Sequence, residues 1–223
     1  MKYVLTLLAA GMMSGQLAWS GENSPAVELK AVAGSEAVAV PPAGPPAKDA
    51  QETVVVAPDV MVKTMTDEVL KIVKTAPKEE IIALLLPNFN FEHMTRLAAG
   101  KYWPQAAEEQ RKGLVTEFRT LLVRTYSIAL DMAAKGSVIE VKPLGPQQAP
   151  GEAVVKTVAK QSGQSPINID YRMELVGTAW QAYDVTIDGI SLVTNYRSQF
   201  ASVIAGSGMD GLIKVLAEKN GKK

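Results

Sequence analysis

Ile167-Asn168-Ile169-Asp170-Tyr171-Arg172-Met173-Glu174-Leu175 alternates apolar and polar residues without a break. Successive side chains of a strand point to opposite faces, so this run predicts one buried face and one wet face. Residues 137–143, 152–160 and 179–187 also read with a period of two, and the clear run extends back to Pro166. Residues 146–151, 162–165 and 176–178 are short, turn-like connections. Connections that short make neighbouring strands antiparallel, which predicts a four-stranded meander.

Upstream of the strands the period is 3.6. Val62, Met65, Val69 and Ile72 stand at i, i+3, i+7 and i+10 within residues 59–74, the stripe of an amphipathic helix. A second helix is predicted over 78–86, stopped by Pro87, and a third over 91–99, ended by Gly100. The longest spans 105–134, with the stripe Leu114, Phe118, Leu121, Thr125, Ile128 and Met132. Leu122, Tyr126 and Leu130 widen it, so its second half is buried on several sides or lines a cavity. Beyond the strands, 195–205 reads as a helix broken by Gly206-Ser207-Gly208, and Asp210 is placed to cap another over 211–218. The predicted fold is α+β: a curved four-stranded antiparallel sheet wrapped by about six helices, packed on one face and enclosing an apolar pocket.

The chain has 223 residues, 23 basic and 23 acidic side chains, no cysteine and one histidine. Balanced charge offers no strong field for nucleic acid or for an acidic membrane surface. Absence of cysteine excludes disulfides, a cysteine zinc site and a thiol nucleophile. Residues 1–20 read as a signal peptide: Lys2 is the only charge, 4–13 are apolar, and Ala18-Trp19-Ser20 puts small residues at −3 and −1 of a cut before Gly21. The apolar run is short for a membrane span, and no later stretch reads as long and apolar enough, which predicts a soluble mature chain. Residues 21–57, centred on Pro41-Pro42-Ala43-Gly44-Pro45-Pro46, read as a disordered linker. Residues 58–218 are the expected domain and 219–223 a basic tail.

Signatures of chemistry are missing. No G-x-S-x-G elbow, no G-x-x-x-x-G-K-[ST] phosphate loop and no G-x-G-x-x-G occurs after a strand. His93 reads as a surface or capping residue. Asp184 and Asp188 are the nearest approach to a metal site and have no partner histidine. The run Glu108, Glu109, Arg111 and Lys112 reads as a solvated face, and Arg96, Lys101 and Arg197, which flank apolar segments, read as ordinary surface, with contact to the head group of an amphiphile as the lesser alternative.

Several longer stretches carry a resemblance. They are Pro87-Asn88-Phe89-Asn90-Phe91-Glu92-His93-Met94-Thr95-Arg96-Leu97, then Gly100-Lys101-Tyr102-Trp103 with Gln110, and Phe118-Arg119-x-Leu121-Leu122 with Tyr126. The most specific runs from Trp180-Gln181-Ala182-Tyr183-Asp184-Val185 through Gly189-Ile190-Ser191-Leu192-Val193 and Asn195-Tyr196-Arg197-Ser198-Gln199-Phe200 to Gly208-Met209-Asp210-Gly211-Leu212. Over residues 58–218 the chain resembles the MlaC family, the periplasmic lipid-binding component of the Mla phospholipid transport system, also known from toluene tolerance.

The resemblance implies a periplasmic, monomeric carrier with phospholipid as cargo and no cofactor. It would exchange lipid with an inner-membrane MCE-protein and ABC-transporter complex and with an outer-membrane lipoprotein complex, maintaining membrane lipid asymmetry. The expected lipid-binding residues are Leu97, Tyr102, Phe118, Leu121, Leu122, Tyr126, Ile169, Tyr171, Met173, Tyr183, Val185, Val193, Tyr196, Phe200 and Ile204. Physics makes a carrier necessary, since exposing a diacyl lipid of about 30 methylenes to water costs on the order of 20 kcal/mol. Other readings stay open: a carrier of hopanoid or other polycyclic lipid, an adaptor that binds no lipid, and a ketosteroid-isomerase-like enzyme using Tyr171, Tyr183 and Asp184. N-terminal sequencing of exported protein should begin at Gly21. Recovery of intact Met1 in the membrane fraction would overturn the cleavage.

Overall fold

Pro58 at the first helical position and Asp59 in the first turn open α1, Pro58–Ile72, because proline lacks the donor a helix start leaves unpaired and a carboxylate favours the positive helix end. The computed structural model describes residues 55–127, 136–145 and 149–221. The export segment, nearly all of the Pro-rich stretch and the Ile128–Met132 part of the expected long helix lie outside the described residues.

Helix α2 covers Lys78–Leu85, and a 3-10 turn, Leu86–Asn88, leads to α3, Phe91–Ala99. Asn90 caps α3 by accepting from the His93 amide at 2.9 Å, and Gly100 ends it at φ 55°. A 3-10 segment, Gly100–Gln105, precedes α4, Glu108–Tyr126. Gln110 ties that start down: its Oε1 accepts from the Ala107 amide at 3.0 Å, and its Nε2 donates to Asp210 at 2.8 Å. Lys112 pairs with Glu108 at 2.7 Å on an exposed face, as expected. Arg111 does not belong to that face, since it donates to the carbonyls of Trp103 and Pro104.

The strands are β1 Val138–Val141, β2 Glu152–Lys160, β3 Ile167–Val176, β4 Ala179–Ile187 and β5 Ile190–Ser191, paired antiparallel in the order β1-β2-β3-β4-β5. The sheet therefore has five strands where four were expected. The extra hairpin turns at Asp188-Gly189, both at positive φ (46° and 85°), the geometry that matches the twist of flanking strands. Helices also differ in count: five α-helices are described, against about six. The two expected C-terminal helices form one run, α5, Leu192–Gly221, interrupted at Gly208, whose φ of 71° only glycine adopts freely. It runs into the expected basic tail, where the Asn220 amide donates to Glu117 at 2.7 Å. By length and composition α5 could cross a membrane, contrary to the sequence expectation. One row of it, Val193, Tyr196, Phe200, Ile204, Met209, Leu212 and Leu216, is buried and packs with residues of α3 and α4.

Helices meet the sheet on both faces, not one. Met173 and Glu174 are neighbours on β3 and so point oppositely. Met173 packs with Val62 of α1, whereas Glu174 receives His93 of α3. Between β3 and β4 the register shifts, leaving Tyr183 without an opposite residue. This bulge sends Tyr183 to the Arg172 side, where the guanidinium lies 5.4 Å from its ring centroid, while Val185 stands opposite Tyr171. The simple period had put Tyr183 and Val185 on one face.

Asp184 is the buried anchor of the sheet-to-helix junction. Its carboxylate accepts from the Ser191 hydroxyl at 2.6 Å and the Val193 amide at 3.1 Å. Ser191 in turn caps α5 by accepting from the Thr194 amide at 3.0 Å. Asp184→Ala should cost about 2–3 kcal/mol by urea unfolding, from the lost cap and the stranded donors. A loss under about 0.5 kcal/mol would show the anchor to be dispensable.

Candidate lipid-binding wall

Cross-strand pairs build one face of the sheet. Val155, Tyr171 and Val185 stand in a row across β2, β3 and β4, as do Ala153, Met173 and Ala182, and Thr157, Ile169 and Ile187. Leu175 opposite Trp180 continues the face towards the Val176–Ala179 turn. Its one hydroxyl among the β2 residues is satisfied, Thr157 donating to the Ile169 carbonyl at 2.9 Å. Met61 and Val62 of α1, Phe89, Val141 and Leu144 pack on this face.

The face is closed in places and half-open in others. Met173 is only 1% exposed, yet Ile169, Tyr171, Leu175 and Ile187 keep accessible surface. Burial nevertheless pushes the Tyr171 hydroxyl up to about 12. Tyr171 is thus desolvated on a face whose Ile169, Leu175 and Ile187 stay partly accessible. Such a wall takes flexible hydrocarbon and offers no group for bond-breaking chemistry.

A second cluster lies among the helices. Phe118, Leu122, Val193, Tyr196, Phe200 and Ile204 are buried in it, with Leu97, Tyr102, Leu121 and Tyr126 packed against them. Phe118 sits at its centre, edge-on to Tyr196 and Phe200 at 4.9 and 5.0 Å. The Tyr126 and Tyr196 hydroxyls bond each other, and burial raises both above the ordinary tyrosine range. Phe89 packs on both clusters and joins them.

The expected lipid-binding residues therefore divide. Ten fall in the helical cluster, Tyr171 and Met173 in the sheet cluster, and Ile169 and Val185 lie on the same sheet face as those two. Tyr183 belongs elsewhere. It stacks on His93 at 4.6 Å, and His93 Nδ1 lies 2.6 Å from Glu174 Oε1, which also accepts from Asn90 at 2.9 Å. His93 is thus a half-buried partner in a polar seam, not a surface residue. Met61, Phe89, Val141, Leu144 and Trp180 were not anticipated here. The helical stripe of α1 and the alternation of β1 were readable, but nothing in either says which elements face each other.

Tyr171, Tyr183 and Asp184 do not converge: the first lies on the opposite face, and Asp184 is engaged with Ser191 and Val193. Asp188 accepts from the Asn168 amide at 2.9 Å. Among the described residues no group of three His, Asp or Glu is placed to hold a metal. Arg96, Lys101 and Arg197 are exposed. The Arg197 guanidinium lies against Gly100, where an added Cβ would come within 2.9 Å of its Nε.

The raised Tyr171 value has a sign. Between pH 10 and about 12 the unfolded chain loses this proton and the folded chain keeps it, so stability falls as pH rises across that window and is undiminished below it. Tyr171→Phe should flatten part of that decline, leaving the share of Tyr126 and Tyr196. Urea unfolding at about pH 9 and pH 11 measures it. Equal declines in both proteins would mean that the hydroxyl is solvated.

The model of the family described as MlaC protein matches residues 57–218. A solved structure of a phospholipid-binding protein from Ralstonia solanacearum, in complex with a phospholipid, superposes with a TM-score of 0.65 at 32% identity. The match covers 73% of this chain and 96% of that one. The chain accordingly belongs to the MlaC family.

Proposed function

We propose that this chain is a periplasmic phospholipid carrier that moves lipid, as a monomer, between an outer-membrane lipoprotein complex and an inner-membrane MCE-protein and ABC-transporter complex, so maintaining lipid asymmetry. The half-open apolar wall of Ile169, Tyr171 and Leu175 supports this reading most directly. The Ralstonia solanacearum relative, whose structure holds a phospholipid, supports it independently. Each methylene laid on such a wall is worth about 0.8 kcal/mol. Ten of them would offset roughly 8 kcal/mol of the cost of leaving a bilayer. Any ATP dependence of transport is assigned to a partner, because the sequence has no phosphate-binding loop.

Two tryptophan substitutions test where the cargo lies. Ile169 is half-open, so Ile169→Trp should keep most of the melting temperature while displacing lipid. Leu122 is 5% exposed within the helical cluster, so Leu122→Trp should cost about 1–3 kcal/mol of stability. Mass spectrometry of lipid extracted from each purified protein reads occupancy. Full phospholipid occupancy in Ile169→Trp would move the cargo off this face. A polycyclic lipid in the wild-type extract would change its identity, and no lipid at all would favour an adaptor.

A further inference from the structure

The described methionines fall into two groups. Met94, Met173 and Met209 are 2%, 1% and 9% exposed, enclosed in the two large clusters. Met61 and Met65 are only partly buried. They stand four apart and so share one side of α1, beside its buried row of Val62, Thr66 and Val69. A thioether is open to oxidation, and exposure decides which sulfur a small oxidant reaches.

The two accessible sulfurs differ in their surroundings. Met61 packs against the sheet cluster that holds Val155, Met173, Trp180 and Ala182, so it is one of the contacts that seat the start of α1 on the apolar wall. Met65 lies one turn further on, where α1 passes from that cluster to the separate one of Val69, Val73 and Ile81.

Hydrogen peroxide is the one co-reactant that the chemistry needs. The sulfur lone pair attacks a peroxide oxygen, the O–O bond breaks and an S–O bond forms. The second oxygen leaves as hydroxide and takes the proton from the new S–OH group, giving a sulfoxide and water. Sulfur loses two electrons and the peroxide gains them. The product is polar where the thioether was apolar, and hydrocarbon offers it no donor, so an oxidised side chain favours water over the wall. We propose that Met61 is an oxidation site at which peroxide loosens α1 from the sheet wall and releases the cargo. This rests on the carrier reading above and adds a regulator of the same site.

Mature protein loaded with a saturated phosphatidylcholine, itself inert to peroxide, is treated with hydrogen peroxide. Peptide mass spectrometry should find the added oxygen on Met61 before Met94, Met173 and Met209. Affinity for the lipid should fall about tenfold, the effect of one polar group placed among hydrocarbon. Met61→Gln, which sets a polar group there permanently, should show that loss without oxidant. Met61→Leu, compared with its own untreated state, should lose no affinity on treatment, whereas Met65→Leu should lose it as the wild type does. Earlier oxidation of the buried methionines, or undiminished affinity in protein oxidised at Met61, overturns the inference and leaves the carrier standing. Loss from Met61→Leu, or protection by Met65→Leu, does the same by placing the reactive sulfur elsewhere. Untreated wild-type protein that takes up no phospholipid overturns the carrier reading and this inference with it.

Discussion

Asn90 joins the sheet to the helices, and the arrangement of both layers depends on it. Its amide donates to the Ala182 carbonyl at 2.9 Å, pairing the chain with the outer edge of β4. Its side chain accepts from the His93 amide to start α3 and donates to Glu174 on β3. Three polar demands of different elements meet at one residue, through its backbone N–H and its side-chain amide, so a shift of the start of α3 strains all three. Phe89, the residue before it, pairs beside Ala182 and packs on both apolar clusters. A hydrophobic contact and a set of directional bonds thus hold the same junction, the first supplying energy and the second register.

The bulge at Tyr183 divides the labour of the two sheet faces. Without it, period two counted back from Val185 would send Tyr183 to the apolar wall. With it, Tyr183 stacks on His93 while Asp184 holds the start of α5. On the wall the Thr157 hydroxyl is satisfied by the Ile169 carbonyl, and the Tyr171 hydroxyl and Trp180 donor are set among hydrocarbon. The carrier proposed above would need this separation. Polar groups scattered along a hydrocarbon path would each have to be desolvated by cargo that cannot satisfy them.

Closed and half-open packing differ in consequence. The Phe118, Tyr196 and Phe200 assembly is dense and gives the fold its rigidity. The sheet wall gives up some of that packing at Ile169, Tyr171 and Leu175, and apolar surface left accessible is stability forgone. Under the carrier reading proposed above, cargo that covers it would return the loss and link lipid binding to stability by mass action.

The sequence by itself determined the order of elements, the antiparallel pairing and the apolar character of both clusters, because these follow from periodicities of two and 3.6 and from turn residues. The strands 152–160 and 179–187 and the helix 91–99 carry the boundaries that pattern gives them. Asp188-Gly189 is a hairpin signal in the sequence, but the strand after it has only two residues, too short for a period to mark. Long similar stretches also made the family readable. Tertiary structure alone decided which apolar residues share a wall. Tyr183 left it through a one-residue register shift, His93 entered a polar seam 81 residues away in sequence, and Met61, Phe89 and Trp180 joined Tyr171 from three separate elements. The physical reason is range: hydrogen-bonded periodicity is local and written in neighbouring residues, whereas hydrophobic contact is non-directional and takes whichever surfaces the connections bring together.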